Sequence, residues 1–482
     1  MTSSTLTHAV VAFICRPAPD VPSGEHLRLA RRCILDGLAV MVGGSQQPGM
    51  APLARYIAAT GGNGTSRPLG AGDVKLPPHL AALWTGTAGH AMDWDDTQLA
   101  EGPGRPYGLL MHPTVPPLAA SLALLDQVAA ETGAPVDGGR FVDAFATGFE
   151  VGCKIAEAIN PEHYMRGFHT SGTIGTFAAT AAACRMLGLD AAATARAIGI
   201  AASCAAGVRA NFGTMTKPFH VGRAAENGVT AALLAREGFS ANTEALDGKW
   251  GYLTIAGPGG EPELVRDRFG APYSMVTPGV SIKPYPSGVL THPSMDALLF
   301  LMCDEGIAAD AIDSIVLHAG FNVLGPIRFR IAKTELEGKF SFAFLLAAIA
   351  LRGRCGKDEF TDEFVASPAC QAMQARIETH HDEAIDAMGW DKIRSRVAVR
   401  LKDGRVLERW ADEAYRGGPD NPLTDSQLES KFADNASGLL SAERQDEVFA
   451  FLRTIEQASD AGRAIALCDW GAFKAAGLET GL

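Results

Sequence analysis

Two short segments of this chain concentrate side chains able to exchange protons. The first is Pro161-Glu162-His163-Tyr164-Met165-Arg166-Gly167-Phe168-His169-Thr170-Ser171-Gly172. The second is Asn211-Phe212-Gly213-Thr214-Met215-Thr216-Lys217-Pro218-Phe219-His220. Both are polar and glycine-bearing, and both run into alanine-rich helical stretches. Ala178 to Ala206, between them, is so poor in charge that it reads as the middle of a buried helical core. Turns at the ends of such helices are ordinarily bland. These carry His163, Tyr164, His169, Lys217 and His220, the groups a small-molecule site uses for proton transfer.

Other residues extend the set. Asp93, Asp95 and Asp96 gather at an expected helix end, where one could serve as a buried base or orient a histidine, or where all three form a solvated acidic turn. His112 follows, just ahead of Pro113, a residue suited to starting a helix. His169 precedes Thr170-Ser171-Gly172-Thr173, and unpaired N–H groups opening a helix there would cradle a carboxylate. Tyr164 is a proton donor or a packed ring. Lys217 sits in a cation-poor loop, as a base with a lowered pKa or as a fixed charge for a carboxylate. His220 and Arg223, on the opening turn of the next helix, could help bind an anion. Lys283-Pro284-Tyr285-Pro286-Ser287-Gly288 opens a second region and adds a further lysine, which suits a substrate with two or more carboxylates.

The motifs for other chemistries are missing. There is no G-x-G-x-x-G after a strand, no P-loop, no G-x-S-x-G and no H-E-x-x-H. Nine cysteines show no C-x-x-C spacing, so no zinc site is expected, and their scatter suits a reducing cytoplasm. What remains is acid–base chemistry by His, Lys, Tyr and Asp with no cofactor and no metal. A formal net charge of −12 leaves no basic stripe for nucleic acid. The first residues lack a signal peptide's basic and apolar segments, and no apolar window reaches the length of a membrane span. The expectation is a cytoplasmic enzyme.

The elements that must position these groups are mostly helical. With 47% hydrophobic and 20% charged residues among 482, the chain can bury a large core. Helices are expected from Glu25, with Ser23 as cap, to about Val42, over Ala51–Ala59, and from Pro78 to about Met92. After a glycine- and proline-rich loop from Glu101 to Leu110, others open at His112-Pro113-Thr114, span Gly138–Ile159, and run from Arg223 to Glu237. From about Ala271 the texture changes. Ile312–Ala319 and Val397–Leu401 alternate as strands do, and Lys402-Asp403-Gly404-Arg405 signals a hairpin into Val406-Leu407-Glu408. Helices Thr291–Cys303 and Phe340–Ala350 lie among them. The tail returns to helix at Asp425–Phe432, Ala442–Ile455 and Asp460–Leu467. The expected fold class is mostly α with an α+β part: residues 1–270 and 410–482 form a large all-α domain built from both chain ends, and residues 271–409 form a smaller α+β domain.

Taken together, these segments resemble the MmgE/PrpD family, which includes 2-methylcitrate dehydratase, cis-aconitate decarboxylase and iminodisuccinate epimerase. The resemblance is carried by Gly89-His90-Ala91-Met92-Asp93-Trp94-Asp95-Asp96-Thr97, His112-Pro113, Gly167-Phe168-His169-Thr170 and Thr216-Lys217-Pro218-Phe219-His220-Val221-Gly222-Arg223. It continues through Ile282-Lys283-Pro284-Tyr285-Pro286, Thr291-His292-Pro293 and Lys339-Phe340-Ser341. It implies a helical domain with an α+β lid, usually in a homodimer, and places Asp93, Thr97, His112, His169, Lys217 and Lys283 on active-site positions. Epimerase-like members are similar around Tyr164 and Lys217. Decarboxylase members carry a histidine shortly after the position of Lys283, where this chain has Ser287-Gly288. The implied activity is proton removal or addition beside a carboxylate of a small polycarboxylate. His169, Lys217, Tyr164, His112 and Asp93 would act as catalytic groups, with Thr97, Thr170, Lys283, His220, Arg223 and Tyr285 binding substrate. Dehydration is expected first, epimerisation second, decarboxylation third, and a non-catalytic binding protein last.

Overall fold

The computed structural model describes residues 5–17, 24–98 and 111–475. Ser23 and the glycine- and proline-rich loop 101–110 lie outside the described residues. Packing divides the described chain into two compact units, one of residues up to 98, 111–280 and from 425 on, the other of residues 281–424.

The first unit is helical. Its main elements are α1 (Glu25–Gly44), α2 (Pro78–Ala91), α3 (Val115–Thr132), α4 (Gly138–Ile159), α5 (Thr170–Leu187), α6 (Ala191–Cys204) and α7 (Thr216–Arg236). α5 lies at the centre, packed by α3, α4, α6 and α7 and buried along nearly its whole length. A helix covered on every side needs no polar face, and its run of Ala, Gly and Thr lets neighbouring backbones come close. Glycine sets the closest approaches. An added Cβ at Gly222 of α7 would stand 2.0 Å from Thr87 Oγ1 of α2, and one at Gly228 would stand 2.5 Å from Ala179 Cβ of α5. The end of α2 and the starts of α5 and α7 are thereby brought to one place.

The chain's later part secures that place. Helix Asp425–Ala436 packs on α1, and the Lys431 ammonium lies 2.5 Å from Asp36 while donating to the Trp94 carbonyl at 2.8 Å. The turn after α2 is thus tied down by a residue more than three hundred positions away.

The second unit is α+β. Its sheet has strands β1 (Ile312–Ala319), β2 (Ile377–His381), β3 (Ser395–Leu401) and β4 (Val406–Trp410) in the order β2-β1-β3-β4. β1 and β2 run parallel, with Ile315 opposite Ile377. The other pairs are antiparallel, with Leu317 opposite Val397 and Val399 opposite Leu407. Helices His292–Glu305 and Phe342–Arg352 pack on the sheet. The mostly α architecture with an α+β part is the one expected.

Two local expectations are corrected. Lys217 lies in the first turn of a helix, not in a loop, because α7 begins at Thr216. Pro218 is tolerated there, since the N–H it lacks would have no partner in a first turn. Strand β2 was not anticipated: four of its five residues are exposed and polar, so it has no alternation to read.

No helix among the described residues is long and apolar enough to cross a membrane.

Candidate active site

The turn after α2 supplies the first groups. Asp93 has a φ of 54°, the one left-handed non-glycine residue among those described. That conformation costs an L-residue roughly 1–2 kcal/mol, and aspartate is among the few types that visit it. Its N–H bonds back to the His90 carbonyl at 3.2 Å. Asp93 Oδ1 meets the Lys217 ammonium at 2.9 Å, with both side chains about 95% buried. Helix end and helix start are thus joined by an ion pair shielded from water.

Around that pair stand four imidazoles. His90, buried in the last turn of α2, donates from Nδ1 to Asp95 at 2.9 Å. His112 donates from Nδ1 to the Asp96 carbonyl at 2.7 Å, and its Nε2 lies 3.8 Å from Asp93. Its backbone N–H donates to Ser171 Oγ, linking this strand of chain to the start of α5. His169 caps α5, stacks 5.4 Å from the His90 ring, and touches Nδ1 of His220 with its own Nδ1 at 3.1 Å. Phe212 sets its edge against His169 at 5.0 Å and lies under the Lys217 ammonium at 5.2 Å.

The electrostatics separate the groups. Burial, followed by the nearby His90, Lys217, His220 and His112, holds His169 well below the usual histidine pKa, so its ring is neutral. His220 is pushed down to about 4 by burial, with His90 and Lys217 adding to it. Asp96 moves the other way, up to about 8, because burial outweighs its bonds from Thr114. Its carboxyl accepts from the Thr114 hydroxyl at 2.6 Å and stays protonated at neutral pH.

Several buried polar atoms here have no hydrogen-bond partner among the described residues: His90 Nε2, Thr97 Oγ1, His169 Nε2 and Thr170 Oγ1. Leaving such a group unmet costs roughly 1–3 kcal/mol. They are the valences a polar ligand would satisfy. His90, Asp93, Asp95 and His112 also place possible metal-ligand atoms within 4.8 Å of one another. At that spot the Lys217 ammonium supplies positive charge, and Nδ1 of both histidines is already committed.

The structure therefore gathers Asp93, His112, His169, Lys217 and His220 in the first unit, with Thr97 and Thr170 adjoining them in sequence. It adds His90, not expected from sequence, which lies within the Gly89–Thr97 segment three residues before Asp93. Tyr164 is half-buried, its ring 3.8 Å beneath the Arg209 guanidinium, and Arg209 in turn faces Phe212 at 5.9 Å. His163 is structural: Nδ1 donates to the Ala256 carbonyl and Nε2 accepts from Thr173, fixing the turn that presents His169. Arg223 is not brought into the group. It pairs with Glu226 one turn on, with 43% of its side chain exposed. Lys283 and Tyr285 belong to the second unit. Lys283 is fully buried, whereas the Tyr285 hydroxyl is committed to Asp296 and Arg416, both at 2.6 Å.

Comparison with known proteins matches the MmgE/PrpD N-terminal domain to residues 9–265 and the MmgE/PrpD C-terminal domain to residues 285–457. Among curated relatives, the cis-aconitate decarboxylase of Homo sapiens is 28% identical over 90% of this chain and 88% of its own length. The Mus musculus enzyme of that name is 27% identical over 90% and 87%. One from Aspergillus terreus is 26% identical over 95% of both.

Proposed function

This chain belongs to the MmgE/PrpD family, and from that premise we propose that it is a cofactor-independent lyase acting beside a carboxylate of a small di- or tricarboxylic acid. One observation carries the reading: a neutral imidazole with an open Nε2, His169, shares its Phe212 wall with the Lys217–Asp93 ion pair. A proton beside a carboxylate is weakly acidic, and moving it builds enediolate charge that needs a cation and N–H or O–H donors aimed at it. In this reading His169 exchanges the proton with carbon, and Lys217, held by Asp93, faces the developing charge. Thr97 and Thr170 bond the carboxylates with their unmet hydroxyls. His112 is the second proton carrier, because a proton gained at Nε2 meets Asp93.

The relatives' names favour loss of carbon dioxide from cis-aconitate or a close analogue. Loss of water from a 2-methylcitrate-like acid is the second reading. It is favoured by Ser287-Gly288, which stand where decarboxylase members carry a histidine; the Ser287 hydroxyl is buried against Thr291. Proton NMR in heavy water with cis-aconitate, citrate, 2-methylcitrate and chiral hydroxy- or amino-diacids separates the outcomes. Decarboxylation gives a shorter acid, dehydration a vinyl signal, and epimerisation deuterium exchange with a new diastereomer. One of the first two is expected, and it should vanish in His169→Ala and Lys217→Ala proteins that remain folded. Conversion of none of these acids, or full activity in both variants, overturns the reading.

A further inference from the structure

We propose that His169 and His220 form a one-proton relay that carries the reacting hydrogen between the buried site and solvent. The relay rests on the carbon-acid reading above and adds a second residue to it, acting through the first.

The geometry fixes the proton count. Two Nδ1 atoms 3.1 Å apart cannot both be bare, since their lone pairs would face each other, and cannot both carry hydrogen. One proton is shared, and each ring keeps Nε2, on its far side, for a second partner. His169 Nε2 is shielded from bulk solvent and meets no hydrogen-bond partner among the described residues. His220 retains 8% of its surface and lies against the segment 206–208, in which Ala206 and Val208 are exposed. Gly207 aligns both rings. Its carbonyl accepts the His169 backbone N–H at 3.0 Å, and an added Cβ would stand 3.3 Å from His220 Cγ. One imidazole thus faces inward and the other lies next to the surface, joined by a single hydrogen bond.

A relay is needed because His169 is a poor place to leave a proton. It is buried, with His90, His112 and Lys217 around it, so a lasting imidazolium there is disfavoured. In the abstracting direction, His169 Nε2 bonds the substrate hydrogen while the C–H electron pair stays on carbon. His169 Nδ1–H breaks and its proton passes to His220 Nδ1, and His220 Nε2–H gives its proton to water. Neither ring ends with a net charge. Delivery to carbon is the same sequence reversed, with one solvent proton consumed. Once product leaves, a water taking its place at His169 Nε2 and the solvent at His220 Nε2 exchange protons the other way and restore the starting tautomer.

The test begins on substrate-free protein labelled with ¹⁵N-histidine, using long-range proton–nitrogen spectra assigned with His169→Gln and His220→Asn. The expected result is complementary tautomers, with one of the two rings carrying hydrogen on Nδ1. If both carry it only on Nε2, the relay is overturned. His220→Asn then offers His169 a carboxamide to bond but no path onward. With whichever acid the wild type converts, kcat should fall about 100-fold while KM and melting temperature hold. Added imidazole should restore part of the loss in His220→Gly. Unchanged kcat in His220→Asn, or no rescue in His220→Gly, also overturns the relay. Conversion of no acid by the wild type would instead remove the proposed function, and the tautomer result would still decide whether the shared proton exists.

Discussion

Tyr285, Asp296 and Arg416 in the sheet-bearing unit, and the histidine–aspartate–lysine group of the helical unit, are both polar networks largely withdrawn from water, finished to different degrees. In the first, the Tyr285 hydroxyl donates to Asp296 and accepts from Arg416, while Arg416 also bonds Asp296 at 2.7 Å. Burial and the Asp296 charge hold the phenol's pKa well above its usual value, so it neither ionises nor has a bond to offer. In the second, the described residues leave His90 Nε2, Thr97 Oγ1, His169 Nε2 and Thr170 Oγ1 unmet, and backbone strain is held at Asp93. A closed network holds a fold together; an open, strained one is built for something it must bind.

The largest effect expected from this contrast is that of Lys217→Ala. It removes the cation of the open network, so turnover should fall about a thousandfold or more. It also takes from the buried Asp93 carboxylate the cation 2.9 Å away, so the melting temperature should drop. Adding Asp93→Asn, which keeps a residue tolerant of the left-handed turn, should recover the melting temperature and none of the activity. Recovery of both would show that the pair is only structural.

Tyr285→Phe probes the closed network. Removing its hydroxyl should cost about 1–3 kcal/mol in a urea titration, with turnover per folded molecule unchanged. A collapse of turnover at full stability would erase the distinction and return Tyr285 to the substrate-binding role expected from the sequence.

A smaller, pH-dependent effect comes from groups next to the open network. His163 is held down to about 4 by burial. A histidine that protonates near 6.5 when unfolded then binds fewer protons when folded, so its contribution is present above pH 6.5 and is lost as pH falls toward 4. The shift is worth at most about 3 kcal/mol. His220 acts in the same sense. Asp96, raised to about 8, acts in the opposite one: the folded state keeps a proton the unfolded state has released, so stability falls as pH rises from about 4 to about 8. His163→Gln should therefore lose less stability than wild type between pH 6.5 and 4 and behave alike above 7. An identical acid slope in the variant would show that His163 does not carry it.

Much of this was legible in the sequence because it depends on local rules. The helix ends around Asp93 and His169, the alanine-rich centre of α5, and the alternation of β1 and β3 can each be read within a few residues. What was not legible depends on distance. The Nδ1–Nδ1 contact of His169 and His220 spans fifty-one positions and arises only where α5 and α7 cross. The left-handed φ of Asp93 leaves no mark in composition, since glycine is the usual signal for it. His90 lay inside a recognised segment yet reads as an ordinary helix residue, because its partner Asp95 is found only after the chain turns. Tyr285 and Arg223 show the other side of distance: their residue types suit anion binding, but their pairing with Asp296 and Glu226 is seen only in the folded chain.

Arg223 gives the smallest and most discriminating case. It lies six residues beyond Lys217 on α7, and at 3.6 residues per turn that is about 240° of rotation, so the two side chains leave the helix some 120° apart. His220, three residues on, keeps nearer the Lys217 face and meets His169; Arg223 has rotated off it and pairs with Glu226. Arg223→Ala should change stability by no more than about 0.5 kcal/mol and leave kcat and KM where they were. Were it to raise KM for a polycarboxylate several-fold, the anion site would extend round α7 beyond the open network, and the boundary between open and closed would have to be redrawn through Glu226.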